Sequence, residues 1–179
     1  MNEKALKTAL ITGAGRRIGR AVAKRARAFD MEIHYNNRTR LSGELEQGAT
    51  FHQDPESMLA QAEFLSINCP SSPETRHFLN AKRIALLPDG AVVVNTARGN
   101  IVDDDALIAA ASSGKVSGVG MDVFNGEPNF DNRYLDLLNA FLLPHIGSAT
   151  LDTREAMGYR ALDNLDAIFA GRTAPDALT

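Results

Sequence analysis

The chain has 179 residues, 44% of them hydrophobic and 23% charged, with 14 glycines and 7 prolines. That balance excludes intrinsic disorder, a collagen-like repeat and a disulfide scaffold, and the length suits one globular domain better than two. With 19 basic against 22 acidic residues the net charge is −3, which gives no reason to expect a nucleic-acid partner. The single cysteine, Cys69, permits no intrachain disulfide and fits a reducing compartment. The opening Met1-Asn2-Glu3-Lys4 has no apolar signal core, and no apolar run approaches about 18 residues. A soluble, cytoplasmic protein with no membrane partner is expected.

Short apolar stretches rich in Ile, Val and Phe alternate with longer amphipathic ones. In chain order the pattern predicts a strand over Thr8 to Thr12, a helix over Arg16 to Phe29, and strands over Met31 to Tyr35 and Ala49 to His52. A helix over Pro55 to Gln61, a strand over Phe64 to Asn68 and a helix over Ala81 to Leu86 follow. Next come a strand over Ala91 to Asn95 and a helix over Asp103 to Ser113. Strands over Val116 to Met121 and Phe141 to Leu143 precede a long helix from about Leu151 to Ala170. Asp103, Asp104 and Asp105 put negative charge on a helix start, where the macrodipole favours it. Gly114 and Gly171 read as C-terminal stops. Strands this continuously apolar suit burial on both faces of a parallel sheet.

The first strand runs straight into Gly13-Ala14-Gly15-Arg16-Arg17-Ile18-Gly19 and then into a helix. Small residues there let the backbone turn tightly and approach a pyrophosphate, whose charge the helix N-terminus holds. Gly13, Gly15, Arg16, Arg17, Ile18 and Gly19 are therefore expected to line a dinucleotide. The expected fold is α/β: a doubly wound, mostly parallel Rossmann sheet of about seven strands in three layers. Residues 1–179 are read as a single dinucleotide-binding domain, without repeat or linker.

The glycine spacing is G-x-G-x-x-x-G, one residue longer than the common dinucleotide turn. The stretch Ala9 to Arg20 resembles the opening of short-chain dehydrogenases/reductases. That family requires a catalytic Tyr followed four residues later by Lys, whereas Tyr35, Tyr134 and Tyr159 are followed there by Thr39, Leu138 and Asp163. Its active site is absent. The second strand continues as Asn36-Asn37-Arg38-Thr39-Arg40, with no acid at its tip. A carboxylate there would accept the ribose hydroxyls of NAD, while arginine beside small polar residues accommodates a 2′-phosphate. Asn37, Arg38 and Thr39 are expected to make NADP(H) the preferred cofactor and NAD(H) the weaker one.

From about Ala21 onward the chain resembles D-isomer-specific 2-hydroxyacid dehydrogenases, in particular their glyoxylate/hydroxypyruvate reductases. The resemblance rests on Asn68-Cys69-Pro70 with Pro73-Glu74-Thr75-Arg76-His77, and on Val94-Asn95-Thr96-Ala97-Arg98-Gly99. It continues in Met121-Asp122-Val123-Phe124 with Gly126-Glu127-Pro128, and in Pro144-His145-Ile146-Gly147-Ser148-Ala149-Thr150. It implies reduction of a small 2-keto acid, with Arg98 holding the substrate, His145 as acid/base and Glu127 against the other ring nitrogen. Cys69, Pro70, Thr75, Thr96 and Ala97 would line the cofactor, and Asp122 would meet the nicotinamide carboxamide. Arg98 and His145 would also face the cofactor. His34, His52 and His77 are read as structural, and no metal site is expected.

The resemblance also implies a substrate domain, which residues 1–179 are not expected to contain. Two resemblances in one chain imply a chimera, with a short-chain first strand and glycine turn on a hydroxyacid-dehydrogenase body. Asp30 stands where the family usually has a helix-ending Gly. Two functions follow: a keto-acid reductase domain, or a cofactor-binding or structural module with little turnover. A monomer or weak homodimer is expected.

Overall fold

Seven strands hydrogen-bond into one sheet in the computed structural model of the protein, which describes residues 8–13 and 17–177. They are β1 (Thr8–Thr12), β2 (Glu32–Asn36), β3 (Thr50–Phe51), β4 (Phe64–Ile67), β5 (Ala91–Asn95), β6 (Val116–Met121) and β7 (Ala140–Leu142). The order is β3-β2-β1-β4-β5-β6-β7 and every pairing is parallel. The helices are α1 (Arg17–Arg27), α2 (Gly43–Glu46), α3 (Pro55–Leu59), α4 (Ala81–Leu86), α5 (Asp104–Ser112) and α6 (Leu151–Phe169). The doubly wound α/β expectation holds. The pattern did not anticipate α2 or the short 3-10 turns over Gly99–Ile101 and Asn132–Asp136.

Side chains alternate across a strand, and Phe64 and Leu65 of β4 accordingly join different apolar clusters. One face carries Leu65, Ile67, Val93 and Val119, covered by Met58 of α3, Ile84 of α4 and Leu107 of α5. The other carries Ala9, Ile33 and Tyr35 under Ala23 of α1. This is the three-layer arrangement that a parallel sheet needs to bury both faces.

The starts of α3, α4 and α5 are capped by side chains. Asp54 accepts from Glu56 N and Ser57 N, Asn80 from Arg83 N, and Asp103 from Ala106 N. At the end of α1, Asp30 takes the left-handed conformation at φ 55, and Met31 N donates to Ala26 O at 3.2 Å. Asp occupies a site where Gly is easier, at a cost of roughly 1 kcal/mol. His34 and His52 pair through Nδ1 and Nε2 at 2.8 Å with their rings stacked, a structural use of both.

The chain falls into two compact units, residues 1–144 and residues 145–179. The second is built on α6, which Thr150 caps by accepting from Thr153 N at 3.3 Å. Its tail folds back through Asp176, which accepts from Arg160 at 2.7 and 2.8 Å and from Asn164 at 2.8 Å. Among the described residues no helix is long and apolar enough to cross a membrane.

Candidate functional site

Because all strands run the same way, their C-terminal ends share one edge of the sheet. The order reverses between β1 and β4, and ligands of open α/β sheets bind in the crevice at such a point. Here the two strand ends are tied together. The buried Thr12 hydroxyl accepts from Asn68 N at 3.0 Å and also bonds the Cys69 thiol. Burial is the main effect on that thiol and pushes its pKa up, so Cys69 stays protonated and serves as lining. Gly13 follows at φ 68, and a Cβ on it would lie 2.5 Å from Asn68 O. No residue with a side chain fits between these backbones. Gly13 therefore sits where the sequence put the turn. Gly15 and Arg16 lie outside the described residues. Arg17 opens α1, Ile18 is exposed on it and Gly19 is buried in it.

A second part of the edge lies beyond β2. Asn36, Asn37, Arg38, Thr39, Arg40, Phe51 and Gln53 line a cleft of about 510 Å³ with no carboxylate among them. Asn36 Nδ2 donates to His52 O at 2.7 Å, which fixes the start of this loop. The Glu74 carboxyl is held below its ordinary range, chiefly by a hydrogen bond from Ser72, with the positive charge of Arg38 adding to the effect.

At the end of β5 the fully buried Asn95 shapes the turn that carries Arg98. Its Oδ1 accepts from Ala97 N at 3.0 Å and its Nδ2 donates to Arg98 O at 2.9 Å. Thr96 donates to Asn68 Oδ1 at 3.3 Å, joining the β5 and β4 ends. The Arg98 guanidinium donates to Ala97 O at 2.6 Å. Gly99 packs so closely on the Phe124 and Asn125 backbone that a Cβ there would overlap it. Asp122, buried at the end of β6, donates its amide to Asn95 O at 3.1 Å. Glu127 Oε1 accepts from Phe124 N at 2.6 Å and precedes a cis proline, Pro128. Thr75 donates to Pro70 O at 2.9 Å, closing the loop after β4.

The first unit thus brings Gly13, Cys69, Pro70, Thr75, Thr96, Ala97, Arg98 and Asp122 to one sheet edge, with Asn37, Arg38 and Thr39 at the β2 end. His145 opens the second unit at φ 55. A non-glycine residue is uncommon in that region, and such strain clusters at functional sites. The sequence reading missed the organising roles of Asn95, Asn68 and Thr12. The available signal was a polar residue at or just after the end of an apolar strand.

Residues 1–147 match the model of the D-isomer specific 2-hydroxyacid dehydrogenase, NAD binding domain. The chain belongs to the D-isomer specific 2-hydroxyacid dehydrogenases. Glycerate dehydrogenase of Hyphomicrobium methylovorum is 49% identical over 174 residues, which are 96% of this chain and 54% of that protein. Among solved structures, a glyoxylate reductase from Paecilomyes thermophila is similar with a TM-score of 0.88 and 44% identity, covering 95% of this chain and 52% of that one. The NADPH-dependent glyoxylate/hydroxypyruvate reductase of Sinorhizobium meliloti, in complex with NADP and malonate, is similar with a TM-score of 0.89 and 36% identity, covering 96% and 53%. The chain spans about half the length of the relatives it matches. The family match begins at residue 1 and takes in the glycine turn together with the body.

Proposed function

We propose that this NAD-binding domain serves a reductase of small 2-keto acids of the glyoxylate/hydroxypyruvate class, and that NADPH is its preferred cofactor. The observation that carries the cofactor choice is the cleft beyond β2, which holds Arg38 and Arg40 and no carboxylate. Guanidinium and amide donors at a strand tip suit a ribose bearing a 2′-phosphate, and the lining lacks the carboxylate that would accept from the ribose hydroxyls of NAD. The glycine at position 13, where no Cβ fits against the Asn68 backbone, stands at the crossover point where such ligands bind.

Reduced nicotinamide, when bound, would supply the hydride. Arg98 holds the keto acid through paired charge-assisted hydrogen bonds to its carboxylate or carbonyl oxygen. His145 gives its proton to the oxygen that becomes the hydroxyl. Glu127 accepts from the other ring nitrogen on this reading, which fixes the tautomer. Asp122 meets the nicotinamide carboxamide. Residues 1–179 are the dinucleotide domain on this reading, and the facing wall belongs to a substrate domain that this stretch does not contain. The protein is cytoplasmic and acts as a monomer or weak homodimer.

A second reading is a cofactor-binding module with little turnover. Assay of glyoxylate reduction with NADPH separates the two. Turnover that His145→Ala removes supports the reductase, and cofactor binding without turnover supports the module. Arg38→Ala should narrow the gap between NADPH and NADH affinity, and equal affinities in the parent would refute the cofactor choice.

A further inference from the structure

We infer that Tyr35, Glu46 and Arg40 form a brace that holds the loop of residues 37–39 in shape, making Glu46 a positioning residue for the choice between NADPH and NADH. The inference rests on the proposed cofactor preference. Its observation is a separate one, a buried carboxylate outside the cofactor cleft.

Glu46 ends the four-residue helix α2 and is only 8% exposed. A buried carboxylate is costly unless donors surround it. Here they converge from two directions. The hydroxyl of the fully buried Tyr35 donates to Oε1 at 2.6 Å. Arg40 donates Nε to Oε1 at 2.8 Å and Nη2 to Oε2 at 3.2 Å, a paired arrangement. The backbone carbonyl of Glu46 accepts from Arg27 Nη2 at 2.7 Å, anchoring α2 to α1. Glu46 is therefore ionised and fixed.

The same hydroxyl completes the brace. Leu41 N donates to Tyr35 Oη at 3.0 Å, so the chain leaving the loop is tied to β2. Asn36 Nδ2, bonded to His52 O and at 3.3 Å to Gln53 O, ties the chain entering it to the exit of β3. Asn37, Arg38 and Thr39 hang between these fixed ends along the cleft. The arrangement also divides labour between the arginines. Arg40 is committed to Glu46, and Arg38 is the guanidinium that meets a 2′-phosphate, trading its attraction to Glu74 for it. A loop already held in its binding shape loses less conformational freedom on binding, so the brace raises affinity without touching the ligand.

The test is a calorimetric double-mutant cycle with NADPH and NADH on the parent, Arg38→Ala, Glu46→Gln and the double variant. Glu46→Gln should reduce the NADPH preference by about three- to tenfold, and add nothing further on the Arg38→Ala background. Tyr35→Phe keeps the packed ring, removes only the hydroxyl, and should shift the preference the same way if Glu46→Gln fails to fold. A preference unchanged in both brace variants while Arg38→Ala lowers it overturns the brace and leaves the cofactor reading standing. Equal losses for the two cofactors, or additive effects with Arg38→Ala, also overturn it. A preference that Arg38→Ala does not alter overturns the cofactor reading, and the selectivity role of Glu46 falls with it.

Discussion

Replacing Gly13 by Ala separates two costs that the turn after β1 combines. The first is conformational, since φ 68 is unfavourable for any residue with a Cβ, by roughly 1–2 kcal/mol. The second is steric. The new methyl would lie 2.5 Å from Asn68 O, 2.6 Å from its carbonyl carbon and 2.8 Å from Cys69 N, against 3.4 Å for ordinary contact. All of these are backbone atoms fixed by the β1 and β4 pairing, so no side chain can swing aside. Overpacking of this kind adds roughly 1–3 kcal/mol, for a total of roughly 2–5 kcal/mol. For a domain of this size that lowers Tm by roughly 5–15 °C. Gly114→Ala is the control, because Gly114 has φ 80 with nothing within 4 Å of the added carbon. It should lose only the conformational part, roughly 1–2 kcal/mol. Urea unfolding followed by circular dichroism measures both variants. Equal destabilisation of the two would refute the packing of Gly13 against the Asn68 backbone.

Asn95→Ala leaves the Ala97 amide and the Arg98 carbonyl without their buried partner, and should cost roughly 1–3 kcal/mol in urea unfolding. The same variant should weaken cofactor binding, as the turn carrying Thr96 and Ala97 loosens. Burial, and then the neighbouring His34, lower the pKa of His52 in the folded protein below its ordinary value of about 6.5. A depressed folded pKa means that the stability from neutral His52 is present above about pH 6.5 and lost as pH falls through the folded value. Unfolding free energy measured from pH 7.5 to 5 should fall, and His52→Gln should flatten that fall; an unchanged slope would contradict it. His145→Ala should lower turnover by roughly 10²–10⁴-fold while NADPH affinity changes little, a split read from kcat against Kd. A variant with full turnover would exclude His145 as the acid.

The strands were legible because each is a short apolar run between breakers, and burial of both faces leaves little other reading. The Asp103-Asp104-Asp105 run marked its helix start, and Asp103 caps it by accepting from Ala106 N. The short helix α2 was not legible, since Gly-Glu-Leu-Glu carries too few residues to show a period. Nothing in the sequence set Glu46 apart from other surface-type acids, for the same reason. Its burial depends on Tyr35 and Arg40, whose convergence is a property of the folded loop. Asn95 was visible as part of a motif, but its work of holding both Ala97 and Arg98 is geometric. The left-handed backbone at His145 has no counterpart in composition or spacing.

Calorimetric titration of the purified chain with NADPH and with NADH tests the central reading most directly. Saturable binding of both, tighter for NADPH, is the expected result, because the cleft beyond β2 offers Arg38 and no carboxylate. Tighter binding of NADH, or no binding of either cofactor by a chain shown to be folded, would contradict it.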